Sequence, residues 1–171
     1  MSAVPQALVL PLRQASRWRQ GGSALLLALS ALLLLYRETA WSMVQVWWRS
    51  DTFAHGFLVL PIVLWLVWRQ RHQWSALQPQ VSPAWLLPLA LAGLLWLLGE
   101  LALVNALTQA ALVAMCVLAV PALLGRAVAR SLLFPLCFLF FAVPVGEFLL
   151  PLLMQWTADV TIFAVRHSGI P

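Results

Sequence analysis

Lysine is absent from this chain, and acids are scarce: Glu38, Asp51, Glu100, Glu147 and Asp159 are the whole set. The net charge of +5 therefore rests on ten arginines. With 9 % charged residues against 63 % hydrophobic ones, no ordinary soluble surface can be assembled. The arginines stand in ones and twos between apolar runs, which argues against the continuous basic stripe of a nucleic-acid binder. Cysteine is scarce as well. Cys116 and Cys137 each lie inside an apolar run with no CxxC or Cys/His spacing, so neither a disulfide framework nor a zinc site is expected. GxGxxG, Walker and HExxH motifs, internal repeats and low-complexity tracts are all missing, and no cofactor or metal is implied.

What is present is apolar length. A helix needs about 20 apolar residues to cross roughly 30 Å of hydrocarbon, and shorter runs are accommodated by bilayer thinning and snorkelling. Five runs qualify, at residues 22–36, 53–68, 84–99, 103–124 and 131–145. A sixth stretch, 148–165, is long enough to span but contains Gln155, Thr157, Asp159 and Thr161. An aspartate near the centre of a span costs about 2.5–3.5 kcal/mol on a translocon scale, so a lipid-exposed crossing is disfavoured there. On a helix, Gln155, Asp159 and Arg166 share one face. The expected fold is all-α: a polytopic integral membrane protein with five transmembrane helices and a C-terminal amphipathic or re-entrant helix, forming a single membrane domain over 1–171.

Orientation follows from the arginines, because cytoplasmic loops are enriched in them. With five crossings, Arg13, Arg17, Arg19, Arg69, Arg71, Arg126 and Arg130 fall on one side. Arg37, Arg49, Arg166 and all five acids fall on the other. This parity predicts a cytoplasmic N-terminus in a multi-pass bacterial inner-membrane protein. Tryptophans settle at headgroup depth, and the same frame puts Trp41, Trp47, Trp48 and Trp156 at the outer face and Trp18, Trp68, Trp74 and Trp85 at the inner one. The first run has the basic start and apolar core of a signal peptide. It lacks a small-residue cleavage site after Tyr36 and further runs follow, so an uncleaved anchor is expected.

Three polar features stand out against this background. His55, followed by Gly56, lies at the extracytoplasmic mouth of the second run, four residues after Asp51; an ionisable group there is a functional candidate. A helix beginning before Phe53 would let Asp51 bond the imidazole. Alternatively, His55 caps a helix start while Gly56 admits a neighbouring helix. Glu147 follows the Pro144–Gly146 break and either lines a substrate groove or sits in a solvated first helical turn. Asp159 and Arg166, seven residues apart, either orient a peptide substrate through partners on adjacent helices or remain solvated on the polar face of an interfacial helix. Cys116 is read as a packing residue, and Cys137 lies too far toward the cytoplasmic side to act as a nucleophile outside, so neither cysteine is assigned to catalysis. His72 is read as a juxtamembrane residue of the cytoplasmic face.

Three stretches together carry a family resemblance. FAHGFLVLPIVLWLVWRQR at 53–71, FPLCFLFFAVPVGEFLLPLLMQWTADVTIFAVRHSGIP at 134–171 and the Trp/Leu-rich hairpin between them resemble the exosortases, most closely exosortase A. The resemblance implies a membrane cysteine peptidase or transpeptidase. Such enzymes cut a C-terminal sorting signal, made of a Pro-Glu-Pro motif, a transmembrane helix and a basic tail, from exported proteins in polysaccharide-associated sorting. The implied partners are the lipid bilayer, the sorting-signal helix and the C-terminal half of the same enzyme, with no nucleic acid. In the family a cysteine thiolate attacks, an arginine stabilises the oxyanion and a histidine moves the proton. That nucleophile stands in an Ala-Cys-Ser-Gly context, which the resemblance places beyond Pro171, the last residue of the Gly-Ile-Pro string, with its arginine and histidine further on. No residue of this sequence matches those three positions, so the chain reads as an N-terminal part that is inactive alone. Composition by itself would equally suit a non-enzymatic transporter or membrane-assembly subunit.

Overall fold

Apolar length becomes helix throughout. The computed structural model describes residues 6–146 and 150–167, with side chains over 17–146 and 152–167, and no strand occurs among the described residues. Helix α1 covers Gln6–Leu35, α2 Arg37–Arg49, α3 Gly56–Arg69, α4 Arg71–Ser75, α5 Leu86–Leu101, α6 Asn105–Leu124, α7 Arg126–Ser131, α8 Leu133–Phe138 and α9 Leu150–His167. Short 3-10 turns at Pro83–Trp85 and Leu139–Ala142 precede α5 and follow α8.

Among the described residues, three segments are long and apolar enough to cross a membrane: Arg17–Leu35, Pro83–Leu101 and Asn105–Leu124. They correspond to the first, third and fourth predicted runs. The second and fifth runs form only shorter apolar helices. The second begins at Gly56, leaving Asp51–His55 as a succession of turns. The fifth is broken by Pro135, which has no N–H to give the carbonyl of Ser131 and whose ring crowds that carbonyl, so the chain divides at Leu132.

The longest element absent from the sequence reading is α2, beside the short α4 and α7. Helix α2 occupies the connection assigned to the outer face, and it buries Thr39, Met43 and Trp47. Their spacing of four is the signal that marks the buried stripe. Trp47, expected at headgroup depth, is 6 % exposed and belongs to a core cluster with Met43, Val59, Val63, Val113, Ala142 and Val143.

Helix α6 is the axis of the fold. Its inner stripe, including Ala111, Leu112, Met115 and Ala119, is buried, and α1, α2, α5 and α7 all pack on it. Helix α5 returns along α6 through a turn at residues 102–104, a few residues later than the Gly99–Ala102 connection expected from sequence. Gly99 lets the helices approach closely, because a Cβ there would meet Thr108 at 3.0–3.1 Å. The turn closes with Val104 N–H on the Gly99 carbonyl at 2.9 Å and Leu103 N–H on the Glu100 carbonyl at 3.1 Å, a Schellman pattern.

Different residues meet at the two ends of the bundle. Trp18 of α1 lies 5.0 Å from Trp74 of α4, ring centre to ring centre, and donates to the Leu77 carbonyl at 2.9 Å. The following strap bonds the end of α6, Gln80 N–H to the Leu124 carbonyl at 3.2 Å and Ser82 N–H to the Ala122 carbonyl at 2.9 Å. These contacts gather Arg17, Arg19, Arg69, Arg71, Arg126 and Arg130 at one end. Glu38, Arg49, Asp51 and Glu100 lie toward the other.

Candidate functional site at the acidic end

The site starts from Trp47. Its indole donates from Nε1 to the Ala142 carbonyl at 2.8 Å and lies directly over Gly56, where any Cβ would collide with the ring. Glycine is required here by the close approach, as the sequence reading allowed. Phe57 stacks edge-on to the same indole at 5.4 Å. Phe53 approaches Gly146, whose absent side chain would stand 3.5 Å from the ring. Two sequence candidates far apart in the chain, the Asp51–Gly56 turn and the Pro144–Gly146 break, are thereby brought side by side.

His55 sits at the helix start with αR backbone, exposed, and its Nδ1 lies 3.0 Å from the Thr52 carbonyl. A carbonyl only accepts, so Nδ1 is the donor in this contact. Asp51 is exposed one residue after Ser50. Because α3 starts at Gly56, the helical i,i+4 geometry that would have joined Asp51 to His55 is not formed. Asp159 and Arg166 sit on α9 as predicted, both exposed. Glu147 and Pro171 lie outside the described residues. The expectation that the family's cysteine, arginine and histidine fall beyond Pro171 therefore rests on the sequence resemblance alone.

The sequence reading missed a buried polar network behind this turn. Trp96 Nε1 donates to Thr39 Oγ1 at 3.0 Å, Gln109 Nε2 donates to Ser42 Oγ at 3.0 Å, and Ser42 Oγ donates to the Thr39 carbonyl at 2.8 Å. Gln109 is 1 % exposed, and its Oε1 has no partner among the described residues. Beside it, Ser42, Gln45, Arg49, Ser50 and Asn105 line a polar cavity of about 220 Å³. Gln109 in an otherwise apolar span was the available signal, since a buried amide needs partners.

Cys116 is half-buried in the middle of α6, and Cys137 is exposed on α8 near the arginine end. Neither belongs to this site. Among the described residues no group of three His, Cys, Asp or Glu side chains is placed to hold a metal.

Residues 47–171 match the family model described as transmembrane exosortase (Exosortase_EpsH). The chain belongs to the exosortase family. The matched span opens on Trp47, the residue that locks α2 to α3 and to the Leu139–Ala142 turn. It contains every site residue picked out in the sequence, though not Thr39, Ser42 and Gln45 of the polar network and cavity. No curated protein and no solved structure matches the chain. An exosortase is in general a membrane cysteine peptidase or transpeptidase, and three helices long enough to cross a bilayer agree with a multi-pass member.

Proposed function

We propose that this exosortase chain forms the membrane scaffold that receives the C-terminal sorting-signal helix of exported proteins, with cleavage at the extracytoplasmic face of a bacterial inner membrane. The observation that carries the reading is the family match over 47–171 together with the apposition of the Asp51–Gly56 turn and the Pro144–Gly146 break. Those two loops border the polar cavity end, where an extended peptide would find hydrogen-bonding groups at the end of an apolar bundle. In this reading α3 and the Leu133–Ala142 segment complete five crossings as short helices with local bilayer thinning, and the N-terminus is cytoplasmic. His55, Asp51 and Glu147 flank the entering substrate, and Asp159 and Arg166 on α9 contribute polar contacts. None of these is the attacking nucleophile, because the Ala-Cys-Ser-Gly motif, expected past Pro171, has no counterpart in the sequence.

Cleavage of a tagged Pro-Glu-Pro substrate in cells lacking exosortase tests the reading. The chain alone is expected to yield no product. Joined in frame after Pro171 to an exosortase segment carrying Ala-Cys-Ser-Gly and its downstream arginine and histidine, it is expected to cleave. A chimera that inserts normally but never cleaves would overturn the scaffold role. Orientation is checked by single-cysteine labelling from the periplasm: position 51 is expected to label and position 71 not, and the reverse pattern would invert the topology.

A further inference from the structure

The arginine end holds two adjoining grooves of opposite character. The polar one, about 570 Å³, is lined by Gln78, Gln80, Ser82, Gly125, Arg126 and Arg130. The apolar one, about 360 Å³, is lined chiefly by Trp85, Val117, Leu118, Pro121, Leu133 and Leu136, and Arg126 and Arg130 line it too. Both volumes fall in the range of small-molecule sites, about 300–1,000 Å³. The two arginines, four residues apart on α7, thus stand at the seam between a wet groove and a dry one.

No acid lines either groove, so each guanidinium there lacks a carboxylate partner from its own cavity walls. This sets them apart from Arg69 and Arg71 at the same end, which stack over Trp65 at 5.2 Å and Trp68 at 4.3 Å. The strap from Gln78 to Ser82 is fixed on α6 through the Gln80 and Ser82 backbone bonds, so the polar groove has a built wall. Gly125, at φ +89°, makes that docking possible, because a Cβ would strike the Gln80 carbonyl oxygen. The ligand that fits both grooves at once carries an anionic head able to accept bidentate guanidinium bonds and an attached hydrocarbon tail. A bilayer supplies such a molecule at this depth, and basic pockets between membrane helices hold anionic headgroups in this way.

We infer that Arg126 and Arg130 form a binding site for one anionic phospholipid, its phosphate in the Gln80–Arg130 groove and an acyl chain against Trp85, Val117 and Leu133. A free phosphate ion would use only the polar half. Cys137 also lines the apolar groove and is exposed, so its alkylation rate reports occupancy.

The test uses the purified chain with phosphatidylglycerol or phosphatidylcholine, read by native mass spectrometry for retained lipid and by maleimide modification of Cys137. Phosphatidylglycerol is expected to be retained preferentially and to slow Cys137 labelling. Arg126→Gln with Arg130→Gln should cut that preference by about tenfold, the order expected when charge-assisted bonds are lost. Arg69→Gln with Arg71→Gln, an equal change in charge, should leave it within about twofold, as expected of charges outside the grooves. Leu133→Trp should lower retention with both arginines intact, and inorganic phosphate should not protect Cys137. Should the double glutamine variant fail to fold, Arg126→Lys with Arg130→Lys keeps the charge and should still weaken retention. The site is overturned if the Arg69/Arg71 variant loses the preference equally, if phosphate alone protects Cys137, or if an acidic peptide displaces the lipid and protects in its place.

Discussion

The two ends of this bundle handle polarity in opposite ways. At the arginine end, charged groups stay at the surface, and the structure is held by indoles on backbone carbonyls and by a strap bonded to the end of α6. At the acidic end, uncharged polar side chains go inside: Thr39, Ser42 and Gln109 are linked between helices, and Trp47 clamps α2, α3 and the Leu139–Ala142 turn. Surface arginines cost little in stability, whereas buried amides and hydroxyls tie their partners to one arrangement, because each group left unpaired is costly. A site that must present loops in fixed register is better served by the second device.

The contrast predicts where substitution hurts most. Trp47→Ala removes a 6 % exposed indole and orphans the Ala142 carbonyl, and is expected to cost about 3–5 kcal/mol in reversible unfolding of the detergent-solubilised protein. Trp18→Ala, at the other end, removes a half-buried indole with the same kind of bond and should cost less. Equal losses would mean that the two ends are equally tight.

Glycines give the next largest effect. Gly56→Ala drives a methyl into the Trp47 ring and should cost about 1–3 kcal/mol as overpacking. Adding Trp47→Phe should recover part of that loss only if the indole is the obstacle. Gly125→Ala should cost about 1–3 kcal/mol for a different reason: φ +89° and ψ 166° lie in a region almost reserved for glycine. A second substitution in the strap should therefore recover little of it.

The buried network supplies a double-mutant cycle. Ser42→Ala strands the Gln109 Nε2 donor and should cost about 1–3 kcal/mol, while Ser42→Ala with Gln109→Leu should return to within about 1 kcal/mol of the parent. Arg126→Gln, exposed at the opposite end, should shift stability by no more than about 0.5 kcal/mol. A Ser42 variant as mild as the Arg126 one would remove the distinction between the ends.

Much of this was legible in the chain. Three of the five apolar runs became helices of membrane length at the expected places. Periodicity failed where tertiary packing or a single imino acid decided the outcome. Helix α2 has only a narrow apolar stripe and was read as a connection. Pro135 splits a run whose composition alone is continuous, and the start of α3 at Gly56 was set by a turn series that hydropathy does not encode. The close packing that the sequence allowed at Gly56 is present, with the Trp47 ring over it. The Trp47 clamp depends on a bond across 95 positions, and the meeting of Phe53 with Gly146 on a contact of similar span, which no local signal carries.

A small effect of opposite sign concerns the α5–α6 turn, where one backbone position holds the less suitable residue. Leu103 adopts φ +55° at the αL position of a Schellman turn and is 87 % exposed. An L-residue pays about 1–2 kcal/mol there, while glycine's extra freedom in the unfolded chain offsets roughly 0.5–1 kcal/mol of any relief. Leu103→Gly should therefore raise stability by about 0.5–1 kcal/mol, and Leu103→Ala, still bearing a Cβ, should not. Because the Val104 and Leu103 backbone bonds are kept, the Thr39–Ser42–Gln109 network should be undisturbed, and the Ser42→Ala penalty should be the same with Gly or Leu at 103. A changed penalty would show that the turn and the buried network are one mechanical unit, so that stability at the acidic end is set by the hairpin as well as by its hydrogen bonds.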